Sequence, residues 1–238
     1  MSGDKKLSIA EIDRQLACGL IVSCQPVDNG PLDDDEIVVC FARAALAGGA
    51  DGLRIEGARR VAKVRAALPQ ALIIGIVKRD LHDSPVRITP LQTDVSALAE
   101  AGADIIAVDA TRRPRPAAVR ALIDEIHRHS KLAMADCSCF EDAAQAHGCG
   151  AEIVGTTLSG YTGGEVPERP DFALLEKMVA AFPRVMAEGR FNTPADSARA
   201  RELGAWAVTV GTAITRTELV TQWFAEALKV HGKDSAPA

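Results

Sequence analysis

The sequence predicts a single (β/α)8 TIM barrel over residues 1–238, and three observations predict it. The length suits one fold of roughly 250 residues, the usual size of such a barrel. A pattern recurs four times, as ALAGGADGLRIEG (45–57), ALAEAGADIIAVD (97–109), AQAHGCGAEIVGT (144–156) and ARELGAWAVTVGT (200–212), each a helix tail closed by glycine and followed by an apolar run. The glycines Gly49, Gly102, Gly150 and Gly204 stand 53, 48 and 54 residues apart. A β/α unit takes roughly 30 residues, so each period holds two units. The intervening strands are visible in GLIVSCQ (19–25), ALIIGIVK (71–78), KLAMADC (131–137) and RVMAEG (184–189).

Taken in order, MSGDKKLSIAEIDRQ starts an amphipathic helix and lacks the apolar stretch of a signal peptide. Strands are expected at 20–24, 52–56, 72–77, 105–109, 131–136, 152–156, 184–188 and 206–210. Amphipathic helices such as RRVAKVRAAL (59–68) and AAVRALIDEIHRH (117–129) lie between them. Alternation of this kind implies parallel strands with right-handed crossovers. An open doubly wound sheet is the competing architecture, but G-x-G-x-x-G and the phosphate-loop motif are both absent. Two long connections, 82–94 and 158–171, are read either as lids or as variable loops. No linker divides the chain, and 230–238 reads as a frayed tail.

Composition narrows the function. Hydrophobic residues make up 47% and aromatics only 4%, which suits an aliphatic parallel-sheet core. The 27 Lys and Arg against 32 Asp and Glu give a net charge of -5. That balance argues against a dedicated nucleic-acid or membrane partner, but leaves room for a small anion held by a local cluster. The six cysteines form no C-x-x-C pair and are read as reduced thiols of a cytoplasmic protein, with Cys24 and Cys137 beside interesting positions. The five histidines show no metal-ligand spacing, so neither a metal nor a cofactor is expected.

Active sites of such barrels lie at the C-terminal ends of the strands. Those ends carry Gln25, Arg54 with Glu56, Lys78, Asp109, Asp136, Thr156 with Thr157, Glu188 and Gly211. Strand alternation puts Lys78 on one face with Leu72, Ile74 and Ile76, Asp136 with Leu132 and Met134, and Glu188 with Met186. If these faces point inward, the mouth holds a lysine, an aspartate and a glutamate. Arg54 and Glu56 share parity, which allows them to pair with each other, and Arg79 or Arg54 near Lys78 would lower its pKa. The loops GRFNTP (189–194) and GTAITRTE (211–218) follow strands seven and eight, where barrels often bind phosphate. Gly189, Gly211, Thr212 and Ala213 offer backbone N–H groups there, Arg190 and Arg216 supply charge, and Thr193-Pro194 reads as the cap and first turn of a helix. A lysine, a glutamate and a phosphate site suit proton transfer on a sugar phosphate, with Lys78 as base and Glu188 as acid.

The stretches GLIVSCQP (19–26), IIGIVKRD (73–80), SPVRIT (84–89), AGADIIAVDAT (101–111), MADCS (134–138), GTTLSGYT (155–162), AEGRFNTP (187–194) and AVTVGTAITR (207–216) resemble the N-acetylmannosamine-6-phosphate 2-epimerase family. The resemblance implies a cofactor-independent isomerase that interconverts the 6-phosphates of N-acetylmannosamine and N-acetylglucosamine in sialic-acid breakdown. It implies Lys78 as catalytic base, Glu188 as its acid partner, and substrate contacts at Gln25, Arg54, Asp136 and Arg216. It leaves a homodimer open. Two other readings remain: a lyase or aldolase in which Lys78 forms a Schiff base, and an inactive sugar-phosphate-binding protein.

Overall fold

Helix tails that end on glycine deliver the chain into every second strand, and the backbone carries the signature. Gly49, Gly102, Gly150 and Gly204 have φ of 96°, 94°, 105° and 96°, a region that costs a Cβ-bearing residue energy. The computed structural model describes residues 7–163 and 165–230. The tail expected at 230–238 lies outside them, apart from Val230, which ends the last helix.

The elements run α1 (Ile9–Leu16), β1 (Leu20–Cys24), α2 (Asp35–Ala47), β2 (Gly52–Glu56), α3 (Ala58–Ala67), β3 (Ile73–Ile76), α4 (Gln92–Glu100) and β4 (Ile105–Asp109). There follow α5 (Val119–Arg128), β5 (Leu132–Asp136), α6 (Phe140–Gly148), β6 (Ile153–Gly155), α7 (Phe172–Val179), β7 (Val185–Glu188), α8 (Pro194–Glu202), β8 (Ala207–Val210), α9 (Thr212–Thr215) and α10 (Thr217–Val230). Every strand falls within one residue of its expected bounds. All pairs are parallel, and β1 pairs with β8, so the sheet closes into a barrel in chain order.

Closure sorts the side chains into two cores. Outward residues such as Leu53, Ile55, Ile73, Ile106 and Val154 pack against the helices. Inward residues such as Ile21, Ile74, Ile76, Ile105, Met134, Ile153 and Met186 fill the barrel, as alternation requires. The bottom is plugged by α1. Its start is a capping box: Ser8 N–H donates to Glu11 Oε2 at 2.9 Å, while Glu11 N–H donates to Ser8 Oγ at 3.3 Å. Its buried face presents Ile12 and Leu16 to Leu72, Ile105, Leu132, Ile153 and Trp206. With the lower barrel sealed by aliphatic side chains, polar chemistry is confined to the upper end.

Leu16→Ala empties part of this plug, and the strands around it cannot close in because their register is fixed on both sides. A loss of about 2–5 kcal/mol is expected, within the range for buried Leu to Ala changes. Urea unfolding read by circular dichroism checks it.

Candidate active site

A cavity of about 490 Å³ opens at the C-terminal end of the barrel. Gln25, Arg54, Lys78, Glu188, Gly189, Gly211, Thr212 and Arg216, all expected at the site, line it. Asp136 lies one layer deeper, fully buried beneath Arg54.

Arg54 is the centre of the mouth. It projects inward from β2 and is only 1% exposed. Its Nη2 donates to Asp136 Oδ2 at 2.6 Å and its Nη1 to Asp136 Oδ1 at 3.3 Å, a two-pronged pair. Nη1 also stands 3.3 Å from Glu188 Oε2. Burial works to lower the Arg54 pKa, but the Asp136 and Glu188 carboxylates outweigh it and the pKa is raised. The Arg54–Glu56 pair that strand parity allows does not form. Glu56 instead accepts the Lys78 backbone N–H at 3.2 Å and approaches Arg60 at 3.8 Å, because the chain turns outward at the strand end.

Glu188 enters from β7 with its side chain 11% exposed. Its backbone is clamped by one hydroxyl: Thr156 Oγ1 donates to the Glu188 carbonyl at 2.8 Å and accepts its N–H at 3.1 Å. Burial pushes the carboxyl up to about 7, with the Asp136 charge adding to the rise and Arg54 opposing it. Thr157 donates to Asp136 Oδ1 at 2.7 Å, completing the buried cluster.

Lys78 comes from just past β3, four strands round an eight-strand ring from β7, so the two side chains approach from opposite walls. The long connection 82–94 positions it. This segment folds back as a strap: Ile88 bridges Lys78 in antiparallel fashion, Arg79 N–H donates to the Arg87 carbonyl at 3.0 Å, and Thr89 N–H donates to the Val77 carbonyl at 2.7 Å. Thr89 Oγ1 also donates to the Ala107 carbonyl at 2.7 Å, tying the strap to β4. Burial lowers the Lys78 pKa, and Arg216 lowers it further. Of the two cations named for this place, Arg54 adds to the lowering, while Arg79 is turned away into an ion pair with the buried Asp94 at 2.5 Å.

The anion corner lies between β7 and β8. Gly189 has φ of 101°, and a Cβ there would stand 3.3 Å from the Thr157 carbonyl oxygen, so glycine suits both the turn and the close approach. Arg216 lines the cavity with its Nε donating to the Gln25 carbonyl at 3.1 Å, while Gln25 Nε2 donates to Ser23 Oγ at 2.6 Å. Thr193 caps α8 as expected, accepting the Asp196 N–H at 3.0 Å with Pro194 in the first turn. One residue expected at the corner is placed differently. Arg190 spends its donors on the Arg169 and Ser159 carbonyls, at 2.8 and 2.6 Å, and lies over the Tyr161 ring. Ala213, expected there through its backbone N–H, stands in α9 and lines a separate outer groove.

Asp28, Arg87, Tyr161 and Thr209 also line the cavity, and strand-end reading did not select them. Arg113 does so too, held by Asp109 at 2.7 Å. Five cationic side chains and three carboxylates thus surround the space. Arg54 Nε, Glu188 Oε2 and Thr209 Oγ1 are buried there without hydrogen-bond partners, which marks the cavity as a polar ligand's site. Cys24 and Cys137 are buried bystanders whose thiols are pushed up by burial, Cys24 to about 12. No cluster among the described residues has the make-up of a metal site.

Residues 38–230 match the family described as "Putative N-acetylmannosamine-6-phosphate epimerase". A protein of that description, with "2-epimerase" in its name, from Pasteurella multocida (strain Pm70) is 54% identical over 94% of this chain and 98% of its own. One from Escherichia coli O9:H4 (strain HS) is 56% identical over 93% and 97%. Among solved structures, the N-acetylmannosamine-6-phosphate 2-epimerase from Clostridium perfringens superposes with a TM-score of 0.89 at 37% identity, covering 93% of this chain and 98% of that one. A thiamine phosphate pyrophosphorylase from Pyrococcus furiosus, TM-score 0.60 and 19% identity, shares the fold.

Asp136→Asn removes a full charge from beneath Arg54. Breaking a buried pair this way is expected to cost about 3–5 kcal/mol. Because the Asp136 charge helps raise the Glu188 pKa, the same change lowers that pKa. Denaturant unfolding and carbon NMR titration of the Glu188 carboxyl read the two effects.

Proposed function

The chain belongs to the N-acetylmannosamine-6-phosphate epimerase family, and on that premise we propose that it interconverts the 6-phosphates of N-acetylmannosamine and N-acetylglucosamine by proton transfer at C2. The observation that carries this reading is the pairing of Lys78 and Glu188 across one cavity, with the lysine pKa lowered and the carboxyl pKa raised.

The reaction follows from that pairing. The phosphate sits at the Gly189 and Gly211–Ala213 backbone with Arg216, which places C2 of the open-chain sugar between the two groups. Neutral Lys78 takes the C2 proton, and the electron pair moves into the C1 carbonyl as an enolate. The unpartnered Arg54 Nε is the donor for that oxygen, held rigid by Asp136. Protonated Glu188 returns a proton to the opposite face of C2. In the reverse direction the Glu188 carboxylate is the base and the Lys78 ammonium the acid. Base and acid are both side chains of this chain, so the step calls on neither a metal nor a cofactor. A Schiff-base lyase would need Lys78 to reach a carbonyl carbon, and nothing in the cavity favours that over C2. The reading carries a small sugar phosphate as partner rather than nucleic acid or membrane, a cytoplasmic location, and a role in amino-sugar breakdown. No helix among the described residues is long and apolar enough to cross a membrane.

Proton NMR in D2O with N-acetylmannosamine 6-phosphate tests the reading. The gluco epimer is expected to appear with deuterium at C2, and an unchanged substrate spectrum rules the reaction out. Lys78→Met is expected to abolish C2 exchange in a folded barrel. Glu188→Gln keeps the shape and lowers turnover by roughly 10²–10⁴-fold, the usual worth of a general acid. Arg216→Ala weakens productive binding of the phosphorylated sugar by about 1.5–3 kcal/mol, the range for hydrogen bonds to charged groups.

The pH dependence follows from the two shifts. The working enzyme carries one proton shared between Lys78 and Glu188, so activity is bell-shaped. The rate falls below about 7, where both groups hold protons, and falls again above the lowered Lys78 pKa, where neither does. In Glu188→Gln the residual rate rises with pH through the Lys78 pKa and does not fall beyond it. A kcat/KM profile of both proteins checks this.

A further inference from the structure

The ladder between β3 and β4 stops early. It pairs Ile74 with Ile105 and Gly75 with Ile106, while β4 stays paired with β5 as far as Asp109 and Asp136. Beyond Gly75 and Ile106 the two strands part, and their edges face each other across a gap in the barrel wall. Buried backbone groups on such edges need partners. Residues 87–89 of the strap enter the gap and supply them. On the β3 side the Arg87 carbonyl accepts the Arg79 N–H at 3.0 Å, and Thr89 N–H donates to the Val77 carbonyl at 2.7 Å. On the β4 side the Ile88 carbonyl accepts the Asp109 N–H at 3.0 Å. The wall that carries Lys78 is thus built on an inserted segment rather than on a continuous sheet.

One hydroxyl joins both edges at the base of the gap. Thr89 Oγ1 accepts the Val77 N–H at 3.2 Å and donates to the Ala107 carbonyl at 2.7 Å. Thr89 is fully buried, and its φ is 45°. A β-branched residue is a costly choice in that region, where glycine enters freely. Strain of this kind persists only where the surroundings over-determine it, and it gathers at functional sites. Glycine would relieve the strain but has no hydroxyl with which to bridge β3 and β4. Thr89 does not line the cavity, whereas Arg87 and Ile88 before it do.

We propose that Thr89 is a positioning residue: its hydroxyl latches the strap between β3 and β4, and the latch sets the point from which the Lys78 side chain enters the cavity. The proposal rests on the base role read for Lys78. Both backbone groups of Val77 end on Thr89, and Lys78 follows Val77 in the chain. Ile88 bridges Lys78 itself, and Glu56 holds the Lys78 N–H at 3.2 Å. Without the hydroxyl, the Val77 N–H and the Ala107 carbonyl lose a partner in a dry place, and the strap has no tie to β4 at that level. A small turn at the Lys78 backbone is magnified along its four-carbon stem, and a misplacement of about 1 Å can cost about 100-fold in rate. The anion corner stands on β7 and β8, away from this wall, so binding of the phosphate does not depend on the latch.

Thr89→Gly and Thr89→Ser test the latch, with kcat and KM measured on N-acetylmannosamine 6-phosphate and folding followed by circular dichroism. Glycine accepts the backbone conformation and removes only the side chain, so the barrel is expected to fold. Its kcat is expected to fall by at least about tenfold with KM within about twofold of the parent. Serine restores the hydroxyl, and its kcat is expected to return to within about threefold. An unchanged kcat in Thr89→Gly overturns the proposal. So does a loss carried by KM alone, or a Thr89→Ser protein as slow as Thr89→Gly. If Thr89→Gly does not fold, Thr89→Asn replaces it, since asparagine tolerates the left-handed region, and the same outcomes decide. A parent protein that places no deuterium at C2 in D2O overturns the epimerase reading itself, whereas an active parent with an equally active Thr89→Gly overturns the latch alone.

Discussion

The upper half of the barrel is arranged around a buried arginine. Arg54 cannot shed its proton, so a place inside the barrel is tolerable only with a carboxylate in direct contact. Asp136 supplies it from three strands away, with both guanidinium prongs engaged. The pair is then neutral, and that neutrality decides the state of the third member. Glu188 enters a dry cluster whose positive charge is already matched, so a second carboxylate is surplus there. Its proton is held to about neutrality, with burial the largest cause. A carboxylic acid available at working pH thus follows from counting charges in the cluster.

The opposite wall achieves the converse with different means. Lys78 stands past the end of β3, where a strand would ordinarily fray. The antiparallel strap through Ile88 and Thr89 extends the ladder, and Glu56 takes the Lys78 N–H from the other side. The backbone is therefore held while the side chain reaches into a space shared with Arg216 and Arg54. Burial and those charges disfavour the ammonium. A lysine and a carboxyl on opposite walls, each drawn toward neutral pH from its own side, suit the base and acid roles proposed for them.

Much of this was legible in the sequence for a physical reason. A glycine in the left-handed conformation at a helix end leaves a mark that repeats, and period-two alternation carries the inward face to the strand end. Hence the strand bounds came within a residue, and Lys78, Asp136 and Glu188 emerged as inward groups. Parity says which face a side chain takes but not which partner it finds. Parity allows Arg54 to pair with Glu56, two residues away, but it meets Asp136, 82 residues away, because closure brings β2 and β5 side chains to one point. Loop paths were the other limit. Arg190 carries a charge beside Gly189, but its neighbouring carbonyls in 158–171 capture it. Arg87 and Arg113 reach the cavity only because a strap and an Asp109 ion pair bend their loops inward.

The end of β8 has to serve two demands at once. Thr215, fully buried, donates to the Ser23 carbonyl at 2.8 Å and pins α9 across the top of β1. That pin holds Gly211 and Thr212 at the cavity, where the proposed reading puts the phosphate. It also spends the residues a barrel would ordinarily use to turn its last helix back onto the sheet. An anchored α9 and a returning eighth helix compete for the same few residues, and here the anchor wins. A chain with net charge -5 thus gathers five cationic side chains at one mouth, which suits the anionic substrate proposed for it.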